Sequence, residues 1–373
     1  MPKTIAIDAR IINSTTGRYV ERLVHYLEEI DTANKYLILV PKKDLLYYKP
    51  ANPNFTVIEA DFPNYSITEQ TGLLQLLNKL KPDLVHFCMP QQPVGYRGLH
   101  ITTIHDLTLL TTYNSDKNYL IYKTKQLIGR WVFKKIGKTS AHIITPTEYT
   151  KKAYAKFAQI NPKKITVTYE GSELTTSKRE VYRPLAGKNF LLYVGSQSDY
   201  KNIRRLMRAH QELRKKHPDL LLVLVGRIGG KNGAALTINK TWAELQKFKG
   251  IIFTGFLPDE QMLWCMQHCA TYVFPSLMEG FGLPALEAMR AGAAVTSSNA
   301  TCLPEVYGEA VEYFNPTDIT DMALAIERVI TNQKRHAELV SKGAMQAARY
   351  SWRKMAEQTH DIYNNALRTI KTD

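Results

Sequence analysis

Long hydrophobic runs are missing from this sequence. The longest apolar stretches, such as Leu220–Val225, are far shorter than the roughly 20 residues that a membrane-spanning helix requires. The chain also starts without the charged segment and apolar run of a secretory signal, because Thr4–Asp8 already has the pattern of a buried strand. We therefore expect neither a transmembrane helix nor a signal peptide.

Cysteine is scarce. The four cysteines in 373 residues are Cys88, Cys265, Cys269 and Cys302. Cys265, His268 and Cys269 are close in sequence, but no second ligand pair follows at the spacing of a zinc site. We expect buried or inert thiols and a reducing cytoplasm as the compartment.

Acidic residues are outnumbered, with 34 Asp and Glu against 49 Lys and Arg and a formal net charge of +15. The excess is concentrated between Lys123 and Lys164, where Glu148 is the only acid. The basic residues of this segment are Lys123, Lys125, Arg130, Lys134, Lys135, Lys138, Lys151, Lys152, Lys156, Lys163 and Lys164. Such a cluster favours an anionic partner, which is a lipid surface, a nucleic acid or a phosphorylated substrate.

Within this cluster, Asn118–Lys138 has the pattern of an amphipathic helix. Its apolar side is marked by Leu120, Leu127, Ile128, Trp131 and Phe133, and its basic side by Lys123, Arg130, Lys134 and Lys138. Two interpretations stay open. The helix lies on anionic lipid, or it packs on the core and its outer face is basic.

What the sequence does contain is an alternation of short β-branched runs with longer helical patterns, which predicts parallel α/β domains. The predicted strands are Thr4–Asp8, Tyr36–Val40, Thr56–Glu59, Leu84–Cys88, Ile101–Ile104, His142–Thr145, Thr166–Tyr169, Phe190–Val194, Leu221–Val225, Ile251–Thr254, Thr271–Phe274 and Ala294–Ser297. Predicted helices between them include Tyr19–Ile30, Glu69–Leu80 and Ile203–Lys216.

A charged stretch, Ser172–Lys188, interrupts the alternation, which restarts at Phe190. The length also favours two domains. We expect an N-terminal Rossmann-like domain over residues 1–178 and a C-terminal one over residues 179–351. A last helix, about residues 352–373, is expected to pack back on the first domain.

Parallel sheets bind ligands beyond the carboxyl ends of their strands. If the two predicted sheets face each other across a cleft, the loops after Asp8, Ile104, Val194 and Phe274 lie near one site. These four loops are therefore where chemistry is expected.

The most informative of them is Pro275–Met289, which runs from a strand into a helix that begins near Leu283. Gly280 and Gly282 let the backbone approach a ligand closely. The helix start offers N–H groups and a positive dipole end to a diphosphate. Glu279 precedes the helix and Glu287 lies just over one turn inside it, so that both carboxylates are suited to sugar hydroxyls. The alternative is a glycine-rich turn with a solvated Glu279.

This stretch resembles the Glu–seven residues–Glu motif of retaining, family-4 glycosyltransferases with the GT-B fold. The resemblance extends over nearly the whole chain. It includes Phe190–Gly195 with Lys201–Asn202, Leu222–Gly226, Ile252–Phe256 and Thr301–Val306 in the second half, and Ile7–Arg10, Thr16–Tyr19 and Thr103–Leu107 in the first. The first-half segments resemble the mannosyltransferase-like branch of that family.

The resemblance implies roles for particular residues. The donor diphosphate would contact Lys201 beside the loop of Gly195 and Ser196, and the sugar and distal phosphate would be held by Glu279 and the N–H groups of Phe281, Gly282 and Leu283. Glu287 would accept from the ribose hydroxyls. His105 would sit at the reacting centre, and Gly17 would let the donor approach the first domain.

Two points qualify this assignment. Many relatives carry an arginine at the place of Ser196 or Tyr200, so that a second phosphate-binding cation is not visible unless Arg204 or Arg205 supplies it. His105 next to Asp106 is also typical of a structural histidine at a strand end. As a site residue, its neutral ring would accept a hydrogen bond from a sugar hydroxyl.

The sequence has no Asp-any-Asp motif, the carboxylate pair with which many such enzymes hold a metal at the diphosphate. We therefore expect no essential metal. The resemblance implies a hexosyltransferase without a cofactor, which moves mannose or a glucose-type sugar from a nucleotide sugar. Its acceptor is expected to be an envelope glycan or a lipid-linked precursor, and its place the cytoplasm or the inner face of the membrane.

Two other functions stay open. A nucleotide-sugar epimerase has the same architecture but needs no acceptor. A nucleic-acid binder would account for the net charge, but the sequence lacks interleaved aromatic and basic residues of a recognition motif, and we expect no nucleic acid.

Overall fold

A computed structural model of the chain describes residues 1–14, 16–111, 119–174, 176–226 and 247–369. They form two compact units. The first contains Met1–Leu110, Lys123–Gly171 and the chain from Ser351 onward, and the second contains Ser172–Tyr350 with the described part of Thr111–Tyr122. The chain passes between the units at Gly171 and Ser172, a few residues before the expected boundary.

The first unit is built on a seven-stranded parallel sheet in the order β3-β2-β1-β4-β5-β6-β7. Its strands are β1 Thr4–Asp8, β2 Lys35–Val40, β3 Phe55–Glu59, β4 Leu84–Phe87, β5 His100–Thr103, β6 His142–Thr145 and β7 Ile165–Val167. The order reverses between β1 and β4, and such a switch point is where open sheets bind ligands.

The second unit is built on a six-stranded parallel sheet in the order β10-β9-β8-β11-β12-β13. Its strands are β8 Phe190–Val194, β9 Leu221–Val225, β10 Ile251–Gly255, β11 Thr271–Phe274, β12 Val295–Ser298 and β13 Glu312–Phe314. Here the switch point lies between β8 and β11. The two parallel sheets confirm the predicted α/β class with two Rossmann-like domains.

The described helices lie between the strands and after β13. They are α1 Arg18–Ile30, α2 Leu74–Leu80, α3 Thr108–Thr111, α4 Tyr119–Thr139, α5 Glu148–Ala158, α6 Ile203–Arg214, α7 Asp259–His268, α8 Leu283–Ala291, α9 Leu303–Tyr307, α10 Ile319–Thr331, α11 Gln333–Ala348 and α12 Trp352–Thr369. None of these described helices is long and apolar enough to cross a bilayer.

Two elements differ from their prediction. The helix expected over Glu69–Leu80 starts with a π-helical turn, Glu69–Leu73, before α2 begins. The strand β13 was not predicted, because three residues with the sequence Glu-Tyr-Phe are too short to show a period.

The last helix, α12, belongs to the first unit, where it packs against α1. Its Tyr363 hydroxyl lies 2.6 Å from Nδ1 of buried His86, and Nε2 of His360 lies 2.9 Å from Oδ2 of Asp31. Since Trp352 and Tyr363 are completely buried, this helix completes the core of the first unit rather than extending the second.

The basic helix α4 packs on the first unit along one side and leaves basic and apolar side chains exposed on the other. Phe133 and Ile136 face the core of the first unit, with 3% and 1% of their surface exposed. Leu127, Ile128 and Trp131 are 68%, 58% and 55% exposed. Grouping Phe133 with these three was wrong, because residues 131 and 133 lie about 200° apart around a helix. The predicted Leu120 and Lys123 have side chains outside the described part of the chain.

Candidate functional site

The carboxyl edge of the second sheet carries most of the predicted site residues. Gly195 directly follows β8, and its N–H donates to the Val225 carbonyl at 2.9 Å. Ser196 comes next, with an exposed side chain and a carbonyl that accepts from the Tyr193 hydroxyl at 2.8 Å. Since Pro275–Gly282 follows the neighbouring strand β11, the two loops flank the switch point of this sheet.

Lys201 and Glu279, predicted for separate parts of a ligand, are in direct contact. Lys201 Nζ lies 2.7 Å from Glu279 Oε1, and their side chains are only 14% and 13% exposed. The ammonium group also lies 5.1 Å from the ring centre of Tyr200 and 5.7 Å from that of Phe274. The ion pair therefore lies among aromatic rings and is largely shielded from water.

Backbone contacts hold Glu279 in place. Its N–H donates to the Thr301 hydroxyl at 3.2 Å, and its carbonyl accepts from the Cys302 thiol at 3.3 Å. Both partners come from the loop after β12. The carboxylate is consequently presented from a main chain that a neighbouring loop fixes.

Asn202 fixes the lysine side of the pair. It adopts a left-handed backbone conformation, and its side-chain amide donates to the carbonyls of Pro275 at 3.0 Å and Pro316 at 2.7 Å. It thus ties the Lys201 turn to the loop after β11. The sequence comparison included Asn202 only as a neighbour of Lys201, and its positioning role becomes visible in the fold.

The helix α8 begins at Leu283 after a left-handed Gly282 with φ of +98°. The Tyr307 hydroxyl donates to the Gly282 carbonyl at 2.7 Å, and a Cβ atom at Gly282 would lie 2.1 Å from that hydroxyl oxygen. Phe281 is buried against the edge of the Tyr350 ring, with ring centres 5.3 Å apart. These contacts direct the positive end of α8 toward the switch point.

Glu287 lies one turn inside α8 and is partly exposed, between the buried residues Leu286 and Ala288. The two arginines considered as second cations lie on the first turn of α6. Arg204 Nη2 lies 3.4 Å from Asp199 Oδ1, and Arg205 Nη1 donates to the Asn202 side chain at 3.0 Å. Both guanidinium groups therefore stand beside the Lys201 turn.

His105 belongs to the first unit, after β5. Its Nδ1 lies 3.1 Å from Glu170 Oε1 and its Nε2 lies 3.0 Å from the Cys88 carbonyl oxygen. Because both partners are acceptors, both ring nitrogens carry protons in this arrangement. Burial lowers the pKa of His105, but the hydrogen bond and charge of Glu170 outweigh it, and the pKa is raised above its usual value.

This arrangement differs from the expected neutral ring that accepts a hydrogen bond. Glu170, 5% exposed, is the residue that changes the chemistry, and the sequence analysis did not single it out. Its signal was its position directly after the predicted strand Thr166–Tyr169, at the same edge of the sheet as His105. A contact of His105 with a sugar would be as a donor.

Gly17 lies at the start of α1, where a Cβ atom would come within 2.1 Å of the Ile12 carbonyl oxygen and 2.3 Å of that of Ile11. The fold of the first unit alone therefore requires glycine here. This close approach to the chain's own carbonyls is a different reason from the donor approach that the resemblance implied.

Of the cluster considered for zinc, Cys265 and Cys269 belong to the core of the second unit, whereas His268 is exposed. Burial raises the pKa of the Cys265 thiol to about 12, and His268 Nδ1 lies 2.8 Å from the Trp264 carbonyl oxygen. All four cysteines are free and buried. Among the described residues, no group of three or more metal-ligating side chains converges.

The two glycines that flank α8, Gly282 before it and Gly292 after it, test whether Gly282 is sterically required. We expect Gly282→Ala to lower the free energy of unfolding by at least about 1 kcal/mol more than Gly292→Ala does. Both glycines have positive φ, +98° and +94°, so that alanine is strained to a similar degree at either position. At Gly292, however, nothing lies within 4 Å of an added Cβ. Urea denaturation measures the difference, and equal losses would show that Tyr307 makes room.

Sequence profiles of two families cover nearly the whole chain. The profile described as Glycosyltransferase Family 4 matches residues 16–176, and the profile described as Glycosyl transferases group 1 matches residues 175–346. The first match contains the strands from β2 to β7, and the second contains all six strands of the second sheet.

Several curated proteins are similar to part of the chain. It is 36% identical over 186 residues to the serotype-specific mannosyltransferase WbdA of Escherichia coli, which covers 49% of this chain and 22% of WbdA. It is 34% identical over 184 residues to the O-antigen chain mannosyltransferase B of Escherichia coli, which covers 48% of this chain and 46% of that protein. The chain therefore matches less than half of the length of these relatives.

Solved structures share the fold over almost the full length. Sucrose-phosphate synthase from Thermosynechococcus elongatus aligns with a TM-score of 0.76 at 18% identity, covering 98% of this chain and 100% of that one. HepE of Anabaena, solved in complex with UDP and glucose, aligns with a TM-score of 0.72 at 16% identity and the same coverage. From its fold and both profiles, the chain belongs to the family-4 glycosyltransferases with the GT-B fold and is similar to the mannosyltransferases among them.

Proposed function

We propose that this protein is a hexosyltransferase that binds a nucleotide diphosphate sugar at the switch point of its second sheet. The observation that carries the proposal is the convergence there of a shielded lysine, a carboxylate and the positive end of a helix: Lys201, Glu279 and α8. Cationic groups at a helix N-terminus suit a diphosphate. A structural neighbour with this fold binds UDP and glucose, which supports a ligand of that class.

The ion pair indicates how a donor would bind. A diphosphate carries more negative charge than Glu279 and would become the counter-ion of Lys201. Glu279 would then accept hydrogen bonds from the sugar, since its main chain is held by Thr301 and Cys302. The same lysine and the helix dipole would stabilise the diphosphate as it leaves. Glu287, one turn further along α8, is assigned to the ribose hydroxyls.

The transferred sugar is proposed to be mannose or a glucose-type hexose, and the acceptor an envelope glycan or a lipid-linked precursor. The similarity to O-antigen chain mannosyltransferases supports both parts. Retention of configuration, giving an α-linkage, is proposed from the Glu279–Glu287 spacing that the retaining family shares. His105 is proposed to act during turnover. Its Nε2–H, which now donates to the Cys88 carbonyl, would donate to a sugar hydroxyl instead.

The two carboxylates should have separable effects. We expect Glu287→Ala to weaken binding of the free nucleoside diphosphate about 10- to 100-fold, the loss of one hydrogen bond to a charged group. Glu279→Ala should mainly lower kcat, because its partner is the sugar. Isothermal calorimetry and initial rates measure both, with Glu309→Ala on the exposed surface of the same unit as control. Unchanged nucleotide affinity in Glu287→Ala would refute the ribose assignment.

The proposal requires no metal, because Lys201 and the start of α8 supply positive potential at the diphosphate. We therefore expect full activity in excess EDTA. Assays with EDTA alone, and with magnesium or manganese restored, test this point. Loss of activity in EDTA that either ion restores would contradict it.

We also propose that the protein docks on the cytoplasmic face of an anionic membrane through α4. The basic residues Arg130, Lys134 and Lys138 are exposed, and so are the apolar Ile128 and Trp131 on the same helix. Basic residues each add roughly 1 kcal/mol near an anionic surface. Exposed apolar side chains among these basic residues favour binding at a lipid interface over a basic surface that serves only solubility. Docking of this kind would bring a lipid-linked acceptor to the enzyme.

Vesicle sedimentation tests the docking. We expect binding to vesicles with anionic lipid, none to neutral vesicles, and release at high salt. The change of Lys134, Lys135 and Lys138 to Glu should abolish binding while nucleotide affinity stays unchanged.

The matched control changes Lys178, Arg179 and Lys188 to Glu, three exposed positions of the second unit with the same change of charge. It should still bind. If the two triple variants lose binding equally, net charge rather than α4 is responsible. If the wild type ignores anionic vesicles at low salt, the acceptor is soluble.

A further inference from the structure

A buried arginine organises the carboxyl edge of the first sheet. Arg10, 8% exposed, binds both oxygens of Asp8 at 2.8 Å and lies 3.0 Å from Glu69 Oε1. It also donates to the carbonyls of Phe62 at 2.8 Å and Gln91 at 3.0 Å. One guanidinium group therefore joins the segments after β1, β3 and β4. The donor site does not use this cluster.

Tyr65 stands at the rim of the cluster with 63% of its surface exposed. Its φ of +63° is unfavourable for a residue with a side chain. Two contacts maintain it: the Tyr65 N–H donates to Glu69 Oε2 at 3.1 Å, and its hydroxyl accepts from the Gln91 side-chain amide. The fold thus holds an aromatic ring toward solvent in a conformation that the local chain disfavours.

Gln91 contacts the hydroxyl of this ring and is 9% exposed. One of its amide atoms contacts Tyr65, and the other, Oε1, is buried without a hydrogen-bond partner among the described residues. Whichever way the amide is oriented, one strong polar atom stays unpaired. A buried polar group of this kind costs free energy unless a ligand satisfies it.

The surroundings of the Tyr65 hydroxyl are negative. Although most of the ring is exposed, its hydroxyl end is withdrawn from water against Gln91, and this desolvation raises the pKa of Tyr65 to about 12. The hydrogen bond from Gln91 opposes the rise, and the charges of Glu69 and Asp106 add to it. Asp106 follows His105 directly. The loop of Gln91 also contains Cys88, whose carbonyl contacts His105. The ring, the amide and the histidine therefore share one edge of the first sheet.

We propose that Tyr65 and Gln91 form a subsite for an uncharged glycosyl residue of the acceptor. The inference rests on the proposed transferase function and adds the chemistry of its acceptor. An exposed aromatic face packs on the C–H face of a pyranose, and the unpaired amide atom binds a hydroxyl. The contacts with Asp8 and Glu69 already neutralise the Arg10 guanidinium, and the charge of Asp106 acts on the Tyr65 hydroxyl, so that a phosphorylated sugar is repelled.

Ligand-observed NMR on the full chain tests the subsite. The probes are methyl α-mannopyranoside, methyl α-glucopyranoside and the 6-phosphates of mannose and glucose. We expect at least one methyl glycoside to bind, and each 6-phosphate to bind at least five-fold more weakly than it. Tyr65→Ala and Gln91→Leu should weaken glycoside binding at least five-fold. Tyr47→Ala, which removes another exposed tyrosine of this unit, should not.

Nucleoside diphosphate affinity, measured on the same samples, shows that the variants are folded and separates the two proposals. If the nucleotide binds but no methyl glycoside does, the subsite is wrong and the transferase proposal stands. If the nucleotide does not bind to the wild type, the transferase proposal is wrong, and the subsite proposal, which rests on it, is wrong as well. Tighter binding of a 6-phosphate, or glycoside binding that both variants retain, would overturn the subsite.

Discussion

Opposite charges lie 2.7 Å apart at the switch point of the second sheet, on Lys201 and Glu279, and little of either side chain reaches water. Removing both from solvent costs free energy, which their contact must offset. Neighbouring residues fix the backbone of both partners. Asn202 ties the turn that carries Lys201 to the loop after β11, and the Thr301 hydroxyl accepts from the Glu279 N–H. A preorganised pair of this kind can exchange partners for an anion and a hydroxyl group without rebuilding the loops.

The carboxyl edge of the first sheet also contains charge pairs with little exposure to water. Arg10 is balanced by its near neighbour Asp8 and by Glu69 from another segment, and His105 is balanced by Glu170. A buried charge left without its partner is strongly unfavourable, so each pair fixes the loops that carry it. Charge pairing at the carboxyl edges therefore positions loops as well as chemistry.

Much of the architecture could be predicted from local patterns. The strand Phe190–Val194 is a continuous apolar run, and Thr4–Asp8 has one at its centre. The start of α8 is marked by Gly282 and Pro284, so that the strands and this helix followed from the sequence. The pairing of charges did not. Lys201 and Glu279 are 78 positions apart, and His105 and Glu170 are 65 apart. No periodicity reports such contacts, and the role of Glu170 was missed for that reason.

The proposed activity depends on the binding of a nucleotide diphosphate sugar at the carboxyl edge of the second sheet. The most direct measurement is a thermal-shift screen of the wild-type protein against UDP-, GDP-, ADP- and dTDP-sugars, because a ligand that binds only the native state raises its apparent stability. The account predicts that at least one nucleotide sugar raises Tm, that its free nucleoside diphosphate also does, and that the monophosphate does so less. A Tm that none of them raises, at millimolar concentration, would contradict it.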